Sequence, residues 1–294
     1  MKILSFHSVK GGTGKTTVSL LTAKLLSAEK KKVCFIDIDI DGPGIKFAID
    51  LKIRKKKMNY INEYLIEIPA AKTKIDVADI IADYIDSECS FSVIPFYLKA
   101  IDSDKFLHQA MHESVDGHIK LRFESILKYL ENQKFDYCII DNSPGIVHLS
   151  KEIMKIVNNK NGQILFNSTN DRIHLFGAYD MIKNLQEKNF GDLEIKKNNL
   201  NLIINRINEE EKYNYANMTG IIGLLKSDPV INSDFNQDKK YIFNEATISN
   251  KNISFIIDMQ DIALFNKITK DGIIANLKSD KKEFGDYINF IRKK

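Results

Sequence analysis

Lys10-Gly11-Gly12-Thr13-Gly14-Lys15-Thr16-Thr17 is the stretch on which the fold turns. Lys2 to Val9 before it is short and apolar-rich, which predicts a buried strand. Val18 to Leu26 after it carries Val18, Leu21, Leu25 and Leu26 at near-helical spacing, which predicts a helix. Strand, glycine loop and helix in that order is the setting a phosphate-binding loop requires. Glycines let the backbone curl so that its N–H groups converge on phosphate oxygens, and the positive end of the helix dipole faces the same spot. In such a loop Lys15 reaches the β- and γ-phosphates and the Thr16 hydroxyl sits on Mg²⁺.

The common form of this loop has glycine five places before its second glycine, where this chain has Val9; a second lysine, Lys10, precedes the Gly11-Gly12 pair. This resembles the deviant Walker A motif of the MinD/ParA family of P-loop ATPases. Lys32 to Asp39 is a β-rich apolar run closing on carboxylates, and Ile40-Asp41-Gly42-Pro43-Gly44 breaks it. Ligands bind at the carboxyl ends of strands in open parallel sheets, so Asp37, Asp39 and Asp41 arrive where the first loop holds its phosphates. The run resembles the family's Asp-x-Asp motif. That resemblance gives Asp39 the attacking water and the metal's water shell and Asp37 a supporting role, while Asp41 reads better as a turn residue before Gly42-Pro43-Gly44.

Phe135 to Asp141 is a second apolar run ending in an aspartate, and Asn142-Ser143-Pro144-Gly145 follows as a turn. After a phosphate-binding loop this resembles a Walker B strand. Asp141 is then expected to hold Mg²⁺ through a water, and Gly145 to approach the γ-phosphate. The family often has proline where Ser143 stands. Leu200 to Ile204 predicts a strand ending at Asn205, which resembles the family's adenine-contacting asparagine; an amide can read both edges of adenine, and a plain turn asparagine is the alternative. Ile221 to Leu225 predicts another strand, followed by Lys226 where the family has a proline that shapes the base pocket.

Elsewhere the reading is coarser. Lys52, Arg54, Lys55, Lys56 and Lys57 form the most basic window, either a solvated loop or a contact for DNA phosphates or an acidic partner. Asp76, Asp79, Asp83, Asp86 and Glu88 lie on a predicted helical stretch, Ile75 to Glu88. Strands are expected over Phe91 to Phe96 and Gly162 to Ser168. Helices are expected over Ile119 to Leu130, with Leu121, Phe123, Ile126, Leu127 and Leu130 apolar, and over Ile173 to Leu185. Further helices are expected over Ile262 to Ile268 and Phe284 to Ile291. Phe284, Tyr287, Ile288 and Ile291 share one helical face flanked by Lys281, Lys282, Arg292, Lys293 and Lys294. Such a tail, 281–294, either packs on the domain or anchors weakly to anionic lipid, as the MinD branch does.

With 294 residues and 44% apolar content, the chain can bury a substantial core. The net charge of +4 does not by itself identify a nucleic-acid binder. Cys34, Cys89 and Cys138 are far apart, so neither a zinc site nor a disulfide framework is supported, and a reducing cytoplasm is the simplest setting. The first strand starts at once, so no signal peptide is expected, and no run approaches the length of a membrane span. The expected architecture is α/β: a predominantly parallel twisted sheet flanked by helices, residues 1–294 forming a single P-loop ATPase domain.

The resemblance implies a switch ATPase that binds ATP and Mg²⁺, with Lys10, Lys15 and Asp39 catalytic. Gly11, Gly12, Thr13, Gly14, Lys15, Thr16, Thr17, Gly145 and Asn205 would contact nucleotide, and Thr16, Asp39 and Asp141 would serve the metal. ATP would promote a homodimer, and hydrolysis, stimulated by a protein activator, would time release from a partner, DNA or a membrane. The location would be cytoplasmic or peripheral to membrane or nucleoid. Four alternatives share the superfamily or the loop. They are an iron–sulfur carrier, which needs paired cysteines near its C-terminus; a bacterial tyrosine kinase, which needs a tyrosine cluster at its tail; an ATP-dependent ligase; and a nucleotide-binding scaffold with little hydrolysis.

Overall fold

The computed structural model describes residues 1–40, 42, 45, 49, 51–53, 59–66, 75–85, 89–97, 113–146, 148–169, 172–186, 193–207, 253–257 and 289–293. The chain divides into two compact units, Met1–Ile164 and Leu165–Lys294.

The first unit is built on β1 (Lys2–His7), β2 (Val33–Ile38), β3 (Leu51–Ile53), β4 (Ala82–Ile85), β5 (Ser90–Ile94) and β6 (Tyr137–Asn142). Their order across the sheet is β3-β4-β5-β2-β6-β1. β6 lies between β2 and β1 and runs parallel to both; Asp141 stands opposite Phe6 on one side and Asp37 on the other. β2 also pairs with β5 in parallel, while β3 and β4 complete that edge in antiparallel fashion. Sequence explains the arrangement. β2 and β6 are buried at every position, as expected of Val/Ile-rich strands covered on both faces in a parallel sheet. Their charged residues occur only where the strands end.

Among the described residues this unit holds the helices α1 (Lys15–Ala28), α2 (Ile61–Ile66), α3 (Glu113–Asn132) and α4 (His148–Asn159). α1 buries Val18, Leu21, Leu25 and Leu26, and it contacts β1, β2, β5 and β6. At about 1.5–3 kcal/mol for each fully buried aliphatic side chain, that face alone outweighs the helix's lack of a side-chain cap. Gly162 closes the turn between α4 and the following strand. A Cβ there would come within 2.7 Å of Val157 Cγ1 and 3.0 Å of Ile3 Cβ, so the backbone approaches closer than any side chain allows.

The second unit begins at Leu165, within β7 (Gln163–Thr169), and holds α5 (Arg172–Gln186), β8 (Leu200–Ile207) and β9 (Ile253–Ile257), with β8 and β9 parallel. Residues 289–293 form a helical turn in which Ile291 is fully buried. That burial fits a packed last helix; Phe284, Tyr287 and Ile288 lie outside the described residues.

Three expectations are corrected. Ile75 to Glu88 is helical only over Val77–Ile80, a single 3-10 turn, and Ala82–Ile85 is a strand. Asp76 and Asp79 form a reciprocal capping box that closes the short turn, and Ile80, Ala82 and Tyr84 are buried, with Ala82 and Tyr84 at strand spacing. Leu121 does not join the buried face of α3: it is 64% exposed, while Ile119, Phe123, Ile126, Leu127 and Leu130 are buried. Two residues along a helix turn through about 200°, which sets Leu121 opposite Ile119. Asn205 lies within β8 rather than at its end. β9 was not anticipated. The predicted strand Ile221 to Leu225, Lys226 and the helix Ile262 to Ile268 lie outside the described residues.

Candidate functional site

The loop follows β1 directly. Gly12 and Gly14 adopt positive φ, +85° and +77°, a left-handed conformation that side-chain-bearing residues adopt at a cost of about 1–2 kcal/mol each. Gly14 is the N-cap of α1 and makes no side-chain cap hydrogen bond, so amides of the first turn keep their donors for a ligand. Lys10, Gly11 and Gly12 are exposed, whereas Thr13 and Lys15 are buried and Thr16 and Thr17 half-buried.

Lys15 turns inward. Its Nζ donates to Asp141 Oδ1 at 2.7 Å and to Asp39 Oδ2 at 3.3 Å. The side chains of Lys15 and Asp141 are 5% and 1% exposed, so this is a buried ion pair. Burial alone would lower the Lys15 pKa, but the two carboxylates outweigh it and hold the ammonium above its ordinary value. Asp141 moves up as well. Its burial dominates, the Lys15 ammonium pulls the other way, and Asp39 adds repulsion. Its Oδ2 is buried with no hydrogen bond of ordinary geometry, though the Thr16 hydroxyl is near enough to bias its titration downward.

Asp37 is the third carboxyl. Burial first, then the charges of Asp141 and Asp39, push its pKa well above the usual carboxylate range. Its Oδ1 accepts from the Asp39 amide at 3.0 Å and its Oδ2 from the Ile45 amide at 3.4 Å. Two carboxyl groups share one buried cation, and the third lies beside them. The ammonium sits against Asp39 and Asp141, while Asp37 ties down the chain that carries Asp39. Asp39 Oδ1 in turn accepts from the Gly42 amide at 3.1 Å. Asp41 lies outside the described residues.

Two further features were not read from the sequence. The Asn142 Nδ2 donates to Ser5 Oγ and the Phe6 carbonyl, each at 3.0 Å, and Ser5 Oγ lies 2.8 Å from His7 Nε2. This polar cluster joins β1 to β6 beneath the loop. His7 is fully buried, and burial, helped by the Lys15 charge, lowers its pKa to about 3. The signal in sequence was Ser5 and His7 two apart in an otherwise apolar strand. The second feature is Ser143, whose hydroxyl reaches the segment carrying Asp39. Gly145, at φ +76°, donates its amide to the Ser8 carbonyl at 2.7 Å and so ties the turn after β6 to the base of the loop. Asn205 is buried in the second unit.

A glycine loop between a buried strand and a helix, its lysine set over two strand-end aspartates, defines a P-loop nucleoside triphosphatase fold of the MinD/ParA type. The chain belongs to the AAA domain family, whose model matches residues 1–190. It is 32% identical over 158 residues to the virulence plasmid ParA family protein pGP5-D of Chlamydia psittaci, covering 52% of each chain. It is 30% identical over 154 residues to an iron–sulfur cluster carrier protein of Rickettsia typhi, covering 51% of this chain and 39% of that one. The chain thus spans about half or less of the length of these relatives. Among solved structures it resembles the MinC:MinD cell division complex of Aquifex aeolicus, with TM-score 0.59, 17% identity and coverage of 100% and 95%. It also resembles a Cyanothece McdA variant in complex with ATP, with TM-score 0.52, 22% identity and 70% of each chain covered. These two show the fold.

Proposed function

We propose that this chain is an ATP-dependent dimerising switch ATPase that hydrolyses ATP to ADP to time its attachment to a partner, DNA or a membrane. The observation that carries the reading is the convergence of Lys15, Asp39 and Asp141 beneath the glycine loop, with Lys15 Nζ within 3.3 Å of both carboxylates. Phosphoryl transfer to water needs a phosphate grip, a cation site and an oriented water, and these groups supply candidates for each.

In this reading the amides of Gly11 to Thr17 cradle the phosphates, and Lys15 exchanges its carboxylates for the β- and γ-phosphates. Thr16, Asp39 and Asp141 fit Mg²⁺ by chemistry: all offer hard oxygen donors, and Asp141 Oδ2 is buried without a hydrogen bond. When bound, the ion neutralises charge on the phosphates. Asp39 orients the attacking water, and Asp37 holds Asp39 in place through its backbone amide. Gly145 approaches the γ-phosphate. Lys10, exposed ahead of the glycines, is suited to cross a two-fold interface and act on the partner subunit's ATP.

The relatives suggest the setting: one belongs to a plasmid ParA family, and MinD is found in complex with MinC. Plasmid or cargo partitioning with a protein activator is the matching role, at the nucleoid or at a membrane surface. An iron–sulfur carrier is disfavoured, because Cys34, Cys89 and Cys138 are all buried and lie far apart in the sequence. Among the described residues no helix is long and apolar enough to cross a membrane.

The test is ATP binding and turnover by the purified chain with Mg²⁺. Slow turnover is expected in the absence of an activator, and Lys15→Ala should abolish nucleotide binding. Full affinity and turnover in that variant would overturn the assignment.

A further inference from the structure

The register between β2 and β6 ends at the pair Ile38 and Asn142. Asp39 lies one residue beyond it, where no strand pairing holds the chain. Ser143 lies one residue beyond on the other strand, and its side chain spans the gap. The Ser143 hydroxyl accepts from the Ile40 amide at 2.7 Å and donates to the Ile38 carbonyl at 3.3 Å. The residue is 1% exposed, which shields its hydroxyl from water.

We propose that Ser143 is a positioning residue for Asp39: its hydroxyl clasps the residues on both sides of Asp39 and fixes where that carboxylate stands relative to Lys15 and Asp141. The idea rests on the ATPase reading above. Besides the ion pair of its Oδ2 with Lys15, three contacts hold Asp39: the Asp37 carboxyl on its own amide, the Gly42 amide on its Oδ1, and the Ser143 clasp on its flanks. The first two come from its own strand and the turn after it. Only the clasp, among these three, refers Asp39 to β6, the strand that presents Asp141. Together with the Lys15 ammonium that bridges the two side chains, it sets the distance between the two carboxylates that would share the water and the metal. Proline at this position, as in the related motif, has no hydroxyl to make either bond. The clasp also gives the turn after β6 a way to pull on Asp39, since Gly145 is bonded to Ser8 at the base of the loop.

Misplacing a reacting group by about 1 Å can cost on the order of a hundredfold in rate. Ser143→Ala is therefore expected to lower the kcat for ATP hydrolysis at least about tenfold while KM and ATP affinity stay within about twofold. Ser143→Thr, which keeps the hydroxyl, should restore kcat. Adding Ser143→Ala to Asp39→Ala should have no further effect, since the clasp acts through Asp39. Amide exchange provides a readout that does not depend on how the alanine variant folds: the Ile40 amide should be protected in the wild type and in Ser143→Thr. An unprotected Ile40 amide in the wild type overturns the clasp. So does an active wild type matched by an equally active Ser143→Ala, or an additive double variant. A wild type that neither binds nor hydrolyses ATP overturns instead the ATPase reading beneath it.

Discussion

Replacing Lys15 with methionine tests the buried cluster directly, before any nucleotide is added. Methionine keeps the unbranched stem and roughly its volume, so packing changes little and the loss falls on the charge. The ammonium makes one short charge-assisted hydrogen bond at 2.7 Å and one long one at 3.3 Å. A bond to a charged group contributes about 1.5–3 kcal/mol, with the long one at the weak end, so the two together give at least about 3 kcal/mol. Removing one partner of a buried ion pair costs about 3–5 kcal/mol by a separate line of reasoning, because the other charge is left without compensation. The two agree near 3 kcal/mol. For a unit of this size that is a fall in Tm of about 6–12 °C.

The dependence on pH makes the prediction sharper. Asp141 and Asp37 have folded pKa values above their ordinary value of 3.8 even with Lys15 present. Such groups stabilise the fold fully below the unfolded pKa and lose that contribution as pH rises through the folded pKa. Without Lys15 both carboxyls shift further up, so more of the destabilisation appears at neutral pH and less in acid. The assay is urea unfolding of nucleotide-free wild type and Lys15→Met at pH 7.5 and pH 5. A difference near 3 kcal/mol at pH 7.5 that shrinks at pH 5 is expected. A difference below about 1 kcal/mol, or one that grows in acid, would refute the idea that one ammonium holds these carboxylates together.

Four other predictions concern the same region. His7, with a pKa lowered from 6.5 to about 3, favours folding above the unfolded value and loses that contribution as pH falls toward 3; the stability of the wild type relative to His7→Gln should drop by about 1.4 kcal/mol between pH 7.5 and 5.5, measured by denaturant titration. Gly162→Ala should cost about 1–3 kcal/mol by overpacking against Val157 and Ile3 without altering nucleotide affinity, as thermal melts and ATP titration would show. Cys138, whose thiol is pushed up by burial, should like Cys34 and Cys89 resist a thiol-reactive dye until the protein unfolds; rapid native labelling would contradict their burial. Light scattering with ATP should show a dimer that Asp39→Ala keeps and Lys10→Ala loses; a wild type that stays monomeric in ATP, or a Lys10→Ala variant with normal turnover, would leave Lys10 as a solvated loop lysine.

How far sequence led can be judged at three aspartates. Asp39 and Asp141 were legible because an apolar run that stops at a carboxylate marks a buried strand ending at a sheet's ligand edge, and the glycine loop before them says which ligand. Their convergence on Lys15 was not legible, since it depends on β6 inserting between β1 and β2, a choice of strand order that no local pattern encodes. The motif gives Asp37 a supporting role, and its means, a carboxyl bonded to the Asp39 and Ile45 amides, arises only in the folded chain. The antiparallel edge failed for the opposite reason. Asp76, Asp79, Asp83, Asp86 and Glu88 read as residues of one helical stretch, Ile75 to Glu88. Yet Asp83 lies on β4 beside Ser92 of β5, whose hydroxyl donates to Asp83 Oδ1 at 3.1 Å. A bond between neighbouring strands outweighed a weak local periodicity, as short segments with few apolar residues allow. Ser143 shows the same limit at the site itself. In sequence it is one small residue where a proline was expected; in the fold it faces the gap beside Asp39, and a hydroxyl is the smallest group that can both accept from Ile40 and donate to Ile38.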